Sequence, residues 1–212
     1  MAGEPSGEPA LRLMVESRLV ELTAVMARLR RECAWKAGQT HTSLVRYLLE
    51  ETYEVVEAIE DGVPDDLREE LGDLLLQIYF HAAIAEEAGE FGIEEVAGDL
   101  IAKLVRRNPH VFGPDGRSAP AGLDPEAINE QWEQIKATEK TRRSLMEGVP
   151  DELPALLRAV KALERLERAG REPEIPAGST DLGERLLALV VEARAEGIDP
   201  EQALRAAVRK LI

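Results

Sequence analysis

The sequence predicts an all-α protein on three observations. Helix-favouring Leu, Ala, Glu and Arg dominate the composition, and aromatic residues make up only 4% of the chain. Apolar residues recur at helical spacing, and the periodic segments are separated by short breaks that contain Gly or Pro. With 212 residues, the chain is long enough to bury a core in one large helical domain, with or without a smaller appendage.

Eight helical segments are predicted along the chain. They span about 11–31, 42–60, 65–88, 93–107, 125–143, 153–169, 181–196 and 200–212. Thr42 or Ser43 is expected to cap the second segment, and Pro109 ends the fourth. The short links between the first four segments predict an antiparallel bundle that resembles a four-helix bundle.

Charge, cysteine content and hydropathy limit the partners and the compartment that we expect for this chain. A net charge of −15 argues against a nucleic-acid duplex as partner, because such binding depends on Lys and Arg contacts to phosphates. Cys33 has no cysteine partner in the chain, which favours a reducing compartment. No segment resembles a signal peptide or a membrane span, so we expect a soluble cytoplasmic protein with no membrane partner.

Four carboxylates fall on apolar stripes that are predicted to face inward. Glu51 and Glu54 lie on the stripe of the second segment, and Glu70 and Asp73 lie on that of the third. The apolar members of the second segment's stripe are Leu44, Leu48, Val55 and Ala58. Those of the third are Leu67, Leu71, Leu74 and Ile78.

Burying four carboxylates together is unfavourable unless their pKa values rise or cations bind between them. Oxygen ligands in this number are typical of Mg²⁺ or Mn²⁺ sites. A di-iron bundle is the competing interpretation, but its Glu-x-x-His spacing does not occur in this sequence. For the other glutamates of these helices, an ordinary solvated face is the preferred interpretation. They are Glu50, Glu57, Glu60 and Glu69.

The stretch LLEETYEVVEAIEDGVPDDLREELGDLLLQIYFHA resembles the MazG family of nucleoside triphosphate pyrophosphohydrolases, whose signature is EExxE followed by ExxD. The resemblance covers about 19–112 and continues more weakly through INEQWEQIKATEK and GVPDELPALLRAVKALER. It implies metal ligands at Glu51, Glu54, Glu70 and Asp73, the four residues that the stripes select. It also implies Mg²⁺-dependent hydrolysis of a nucleoside triphosphate to the monophosphate and pyrophosphate.

The resemblance extends to residues that would contact substrate or water. Glu50 is a candidate, together with Glu54, for orienting or activating the attacking water. Lys103 and Arg107, at i, i+4, correspond to a basic pair that contacts the triphosphate, and Arg106 lies beside them. For Arg106 alone, a basic helix end favoured by the macrodipole is an equal alternative.

The segment CAWKAGQT resembles the family's CPWDxxQT loop, in which Trp35 could stack on the base and Gln39 would line the substrate site. The sequence departs from that pattern at Ala34 and Lys36, where the family has Pro and Asp. A tryptophan of the core is the alternative reading of Trp35.

The C-terminal stretch DLGERLLALVVEARAEGIDPEQALRAAVRKLI resembles the segment that begins ELGDLLLQ, which predicts a degenerate partial second copy. Asp181 and Glu184 match Glu70 and Asp73, but no second EExxE helix precedes them. The predicted organisation is a disordered tail (1–10), a catalytic domain (11–145), a connecting helix (146–170), a linker (171–180) and the partial repeat (181–212).

The leading prediction is therefore a housekeeping nucleotide pyrophosphohydrolase, which family resemblance implies to be a homodimer. A sibling of the same all-α superfamily, acting on dUTP, dCTP or phosphoribosyl-ATP, is the alternative within enzymes. A noncatalytic helical interaction module is the alternative from another class.

Overall fold

The computed structural model describes residues 17–113, 124–139, 144–176 and 178–211, and every regular element in these ranges is a helix. The helices are α1 (Arg18–Glu32), α2 (Ala34–Ala37), α3 (His41–Asp61), α4 (Pro64–Glu87), α5 (Ile93–Arg107), α6 (Pro125–Glu139), α7 (Ala155–Arg168), α8 (Leu182–Ala195) and α9 (Pro200–Arg209). The all-α prediction is confirmed. The predicted tail at 1–10 lies outside the described residues.

Local signals place most helix ends, with three differences from the prediction. The helix α1 begins at Arg18 rather than near Leu11, because Ser17 has a non-helical backbone and its side chain accepts a hydrogen bond from the N–H of Leu19 as the N-cap. The helix α2 forms a single turn within the segment that was expected to be irregular. The helix α3 begins at His41 rather than after Thr42, because Thr40 and Ser43 form a reciprocal capping box that satisfies the first free N–H groups. Its C-terminal end is closed by Gly62, whose φ of 73° lies in the left-handed region that glycine tolerates.

The described residues divide into two compact units, with the boundary between Asp124 and Pro125. The division falls within the Gly- and Pro-rich stretch before α6, so that α6 belongs with α7, α8 and α9. The domain boundaries proposed from the sequence, at residues 145, 170 and 180, stay predictions.

The first unit is organised around α4, which contacts α1, α3 and α5. The helices α3 and α4 form a hairpin through the turn at Gly62 and make the most extensive helix contact of the described chain. The central cluster of buried side chains consists of Met26, Leu44, Tyr79 and Phe80. Tyr79 also joins α4 to α1, because its hydroxyl donates a hydrogen bond to the carbonyl oxygen of Leu19 at 3.2 Å.

The inner face of α4 differs from the predicted stripe. Leu71 and Ile78 were expected inside but are 49% and 42% exposed. The buried residues of this helix are Gln77, Tyr79, Phe80, Ala82 and Ala85. Leu71 is exposed because α1, which supplies Met26 to the central cluster, packs on the C-terminal half of α4 and leaves much of its first half open. On α3 the apolar part of the predicted stripe is confirmed, with Leu44, Val55 and Ala58 buried and Leu48 half-buried, whereas Glu54 is exposed.

The second unit has its own small core. The helix α7 contacts α8 and α9, and Leu163 and Val190 are buried among them. Arg194 on α8 donates a hydrogen bond to Glu167 on α7 at 2.9 Å, which adds a polar link between the two helices. In the described parts of both units, no helix combines the length and apolar character that a bilayer crossing requires.

A pair of histidines joins α3 to α4 in the first unit. The Nδ1 atoms of His41 and His81 lie 2.7 Å apart, and the two rings are stacked with centroids 5.0 Å apart. A hydrogen bond at this distance needs one protonated and one unprotonated Nδ1, so the geometry excludes two imidazolium ions. Burial, followed by the charge of His41, lowers the pKa of His81.

We expect acidification to destabilise this hairpin. Because the folded-state pKa of His81 lies below its unfolded value near 6.5, the unfolded chain binds more protons, and the free energy of unfolding falls as pH drops below about 6.5. Urea unfolding between pH 7 and 5 measures this slope. His81→Phe should reduce the slope, because it removes the group whose pKa is lowered on folding. An identical slope in wild type and His81→Phe would contradict the assignment.

Candidate metal centre

The α3–α4 hairpin brings carboxylates from both helices together. One ligand oxygen each from Glu51, Glu70 and Asp73 can be chosen so that all three lie within 4.8 Å of one another. This is the one group of three or more potential metal ligands found in the described part of the chain. Glu51 and Glu70 are half-buried.

Glu54 completes the acidic group from the solvent side. It is exposed, and its side chain interacts with Glu51 through both a hydrogen bond and charge. Its charge also acts on Glu70. The expectation that all four carboxylates are buried is therefore wrong, because Glu54 is exposed and Glu51 and Glu70 are only half-buried. An exposed rim leaves the cluster accessible to a ligand from outside.

The cluster is electrostatically unfavourable without a cation. Burial raises the pKa of Glu51, and the charge of Asp73 and the hydrogen bond and charge of Glu54 raise it further, against a smaller opposing effect of Gln77. Burial likewise raises the pKa of Glu70, with added repulsion from Glu54 and Asp73. Such repulsion among oxygen ligands is what a bound divalent cation relieves.

The donor set fits a hard divalent cation. Every ligand is a carboxylate oxygen, and the trio contains no sulfur or imidazole nitrogen that would favour a softer metal. The open rim leaves room for water and substrate oxygens, which Mg²⁺ commonly retains among its ligands. The residues at the α3–α4 hairpin therefore meet the chemical requirements of a Mg²⁺ or Mn²⁺ site.

Gln77 supports the cluster and was not assigned from the sequence. Its side chain is 4% exposed, and its Nε2 donates a hydrogen bond to Oε1 of Glu51 at 3.4 Å. The amide lies one turn after Asp73 on α4, so the i, i+4 spacing was the signal that could have identified it. The hydrogen bond from Gln77 orients the carboxylate of Glu51 from the buried side of the cluster.

The aromatic loop, residues 33–40, lies between α1 and α3 in the same unit. Trp35 is 51% exposed, and its ring meets that of Tyr47 on α3 edge to face, with centroids 6.0 Å apart. An exposed ring is accessible for stacking, so the alternative of a buried core tryptophan is wrong for Trp35. Gln39 donates a hydrogen bond to the carbonyl oxygen of Trp35 at 3.1 Å and accepts one from Ser43 at 2.7 Å.

The other predicted site residues lie on the surface of the first unit. Glu50 is exposed, one residue before Glu51 on α3. Lys103 and Arg106 are exposed near the C-terminal end of α5, and Arg107 is half-buried there. Their contact with a triphosphate, like the role of Gln39, stays a prediction.

The two acidic residues of the predicted second copy have a local structural role. Asp181 is the N-cap of α8, and its Oδ1 accepts a hydrogen bond from the backbone N–H of Glu184 at 2.9 Å. In the described chain, neither residue belongs to a cluster of three potential metal ligands. That this region is a decayed repeat stays a prediction.

The fold and the carboxylate pairs define a class, that of all-helical proteins with an acidic cluster, a candidate metal centre, on a helical hairpin. A model of the MazG nucleotide pyrophosphohydrolase domain matches residues 39–112, the range that contains all four carboxylates. With the relatives described next, this match shows that the chain belongs to the MazG family.

Three relatives illustrate the similarity. An uncharacterized 26.1 kDa protein of Streptomyces cacaoi is 48% identical over 90% of this chain and 78% of its own length. The nucleoside triphosphate pyrophosphohydrolase/pyrophosphatase MazG of Thermotoga maritima is 38% identical over 91% of this chain and 82% of its own. The nucleoside triphosphate pyrophosphohydrolase of Mycobacterium tuberculosis is 43% identical over 92% of this chain, which spans 56% of that longer protein.

Divalent cations should stabilise the protein through this cluster. We expect Mg²⁺ at about 100 times its dissociation constant to add about 2.7 kcal/mol to the free energy of unfolding, a rise of roughly 5–10 °C in the melting temperature. Glu70→Gln should raise the melting temperature without metal, because it removes repulsion, and should weaken the response to Mg²⁺. Differential scanning calorimetry measures both effects.

Glu57→Gln is the matched control, because Glu57 lies exposed on α3 and outside the cluster. Its response to Mg²⁺ should equal that of wild type. Equal responses in Glu70→Gln and wild type would rule out the cluster as the binding site.

Proposed function

We propose that the protein is a Mg²⁺-dependent nucleoside triphosphate pyrophosphohydrolase that removes unwanted nucleotides from a cytoplasmic pool. Water adds to the α-phosphorus of the substrate, the bond to the α,β-bridging oxygen breaks, and the products are the nucleoside monophosphate and pyrophosphate. The observation that carries the proposal is the meeting of Glu51, Glu70 and Asp73 within 4.8 Å in a chain of the MazG family.

Each carboxylate has a proposed task in this reaction. Glu51, Glu54, Glu70 and Asp73 would hold Mg²⁺, which supplies electrophilic stabilisation of phosphate oxygens and lowers the pKa of water. Glu54 is exposed beside Glu51 and can accept a proton from the attacking water. Glu50 is the second candidate for this task, because it is also exposed on α3.

The substrate would be bound by cations and by an aromatic ring. The basic end of α5, with Lys103, Arg106 and Arg107, offers donors for phosphate oxygens. Trp35 offers an exposed ring for the base, and Gln39 lies in the same loop. The base and sugar preference distinguishes two alternatives. One is a general nucleoside triphosphate pyrophosphohydrolase, and the other is an enzyme of the same superfamily that is specific for dUTP, dCTP or phosphoribosyl-ATP.

Pyrophosphate release from a panel of triphosphates tests this proposal. We expect release that requires Mg²⁺ and a loss of roughly 10²-fold or more in kcat/KM for Glu54→Ala and Glu51→Gln, because a charged group at the reacting centre is removed. Coupled detection of pyrophosphate, together with chromatography of the monophosphate, measures the reaction.

The matched control is the double variant Asp181→Asn, Glu184→Gln. The Asn side chain can still cap α8, so the fold is retained while both charges of the second acidic pair are removed. We expect wild-type turnover from it. Absence of metal-dependent release from every triphosphate tested would instead favour the noncatalytic interaction module.

A homodimer is part of the proposal, supported by an apolar face on α5. This helix has no buried residue, and four of its apolar side chains are more than two-fifths exposed. They are Leu100, Ile101, Leu104 and Val105. A contiguous apolar face of this kind is typical of a protein interface.

Ile101→Asp should convert the dimer to a monomer, because it places a charge on the proposed interface at a residue that is 61% exposed. Light scattering coupled to gel filtration measures the mass. Leu211→Asp, a matched change at an exposed apolar residue of the other unit, should leave the dimer intact. A monomeric wild-type protein would refute this part of the proposal.

A further inference from the structure

The aromatic loop is fastened to the first unit by the side chain of Arg30. The guanidinium group makes a two-pronged ion pair with Glu87, in which Nε donates to Oε1 at 2.8 Å and Nη2 donates to Oε2. Its Nη1 donates to the carbonyl oxygens of Lys36 and Gln39, the latter at 3.2 Å. One side chain from α1 thus connects the loop backbone to the end of α4.

The burial of Arg30 makes these contacts obligatory. Its side chain is only 6% exposed, and a buried cation is stable only when its donors are paired. Hydrogen bonding to Glu87 raises the pKa of Arg30, and the same interaction lowers the pKa of Glu87. The ion pair therefore stays charged over the neutral range, and the two loop carbonyls complete its coordination.

The loop itself has little to hold its conformation. The helix α2 comprises four residues, far below the length at which a helix is stable alone. Besides Arg30, the loop is held by Gln39, which links the carbonyl oxygen of Trp35 to Ser43 at the start of α3. The capping box of Thr40 with Ser43 and the edge-to-face contact of Trp35 with Tyr47 add to these contacts. The Nζ atom of Lys36 lies 5.4 Å from the ring centroid of Trp35 and 5.3 Å from that of the buried Phe80.

These contacts fix the backbone on the C-terminal side of Trp35, whose side chain lies at the surface. Lys36, the residue that follows it, and Gln39 both accept hydrogen bonds from Arg30 through their carbonyl oxygens. An exposed aromatic ring held in this way loses little conformational entropy when a planar ligand stacks on it. The fixation therefore increases affinity for the planar part of a ligand.

We propose that Arg30 is a positioning residue for nucleobase recognition, acting through the loop that presents Trp35. The inference rests on the proposed function, because it takes the planar ligand to be the base of a nucleoside triphosphate. Arg30 is buried against the backbone of the loop and is not itself exposed to a ligand. Its loss should therefore weaken binding of the base, while the carboxylate cluster on α3 and α4 can still bind metal.

The test compares Arg30→Lys with Arg31→Lys. The first variant keeps the positive charge but cannot reproduce the forked hydrogen bonds, and the second makes the same change at the exposed neighbouring arginine. For a nucleoside triphosphate, Arg30→Lys should raise KM by about fivefold or more, with kcat changed less than about twofold. For ribose 5-triphosphate, which has no base, KM should be unchanged. Arg31→Lys should match wild type with both substrates.

A spectroscopic readout tests the positioning without relying on activity. In a Trp132→Phe background, the remaining tryptophan is Trp35, and acrylamide quenching reports its exposure and mobility. Arg30→Lys should increase the quenching constant, whereas Arg31→Lys should leave it unchanged. If Arg30→Lys does not fold, Glu87→Gln removes the partner of the same ion pair at a side chain that is half exposed.

The two proposals fail in different ways. A wild-type protein that releases no pyrophosphate contradicts the proposed function, and the quenching comparison then still decides whether Arg30 fixes Trp35. Unchanged quenching in Arg30→Lys and Glu87→Gln overturns the inference. Equal increases in KM for the two substrates, with folding and Mg²⁺ binding intact, overturn it as well.

Discussion

Repulsion among carboxylates across the α3–α4 hairpin is the constraint on which this structure's chemistry depends. Glu51 on one helix faces Glu70 and Asp73 on the other, and burial with mutual charge raises the pKa values of both glutamates. The hairpin holds them together because its apolar contacts, centred on Leu44 and Phe80, stabilise the pairing of the helices. Packing therefore imposes an arrangement that electrostatics alone opposes and that a bound divalent cation would stabilise.

The fold was largely predictable because its determinants are local. The boundaries of α4 and α5 follow from Pro64, from the capping glutamate Glu95 and from the non-helical Asn108 before Pro109. The four carboxylates were identified by their spacing on the helices and, independently, by the MazG signature. The spacing of residues along a helix could not predict how deeply each side chain is buried. Leu71 follows the same periodicity as a core residue but is half exposed, because burial depends on which neighbouring helix covers that turn.

The contacts that spacing missed are those between residues far apart in the sequence. Arg30 on α1 forms an ion pair with Glu87 on α4, and His41 on α3 contacts His81 on α4. Neither pair has a periodic signature, and Arg30 in particular looks like one of several arginines in the run RLRRE of α1. Its importance follows from its burial and from its contacts with Glu87 and the loop backbone. The loop was recognised by its resemblance, but the reason that Trp35 stays in place became visible only in three dimensions.

The most direct test of the account is the position of a bound metal in a crystal grown with Mn²⁺, which replaces Mg²⁺ at oxygen sites and scatters anomalously. The account predicts an anomalous peak in direct contact with carboxylate oxygens of Glu51, Glu70 and Asp73. A fully occupied peak elsewhere, or none at the hairpin at saturating Mn²⁺, would contradict it.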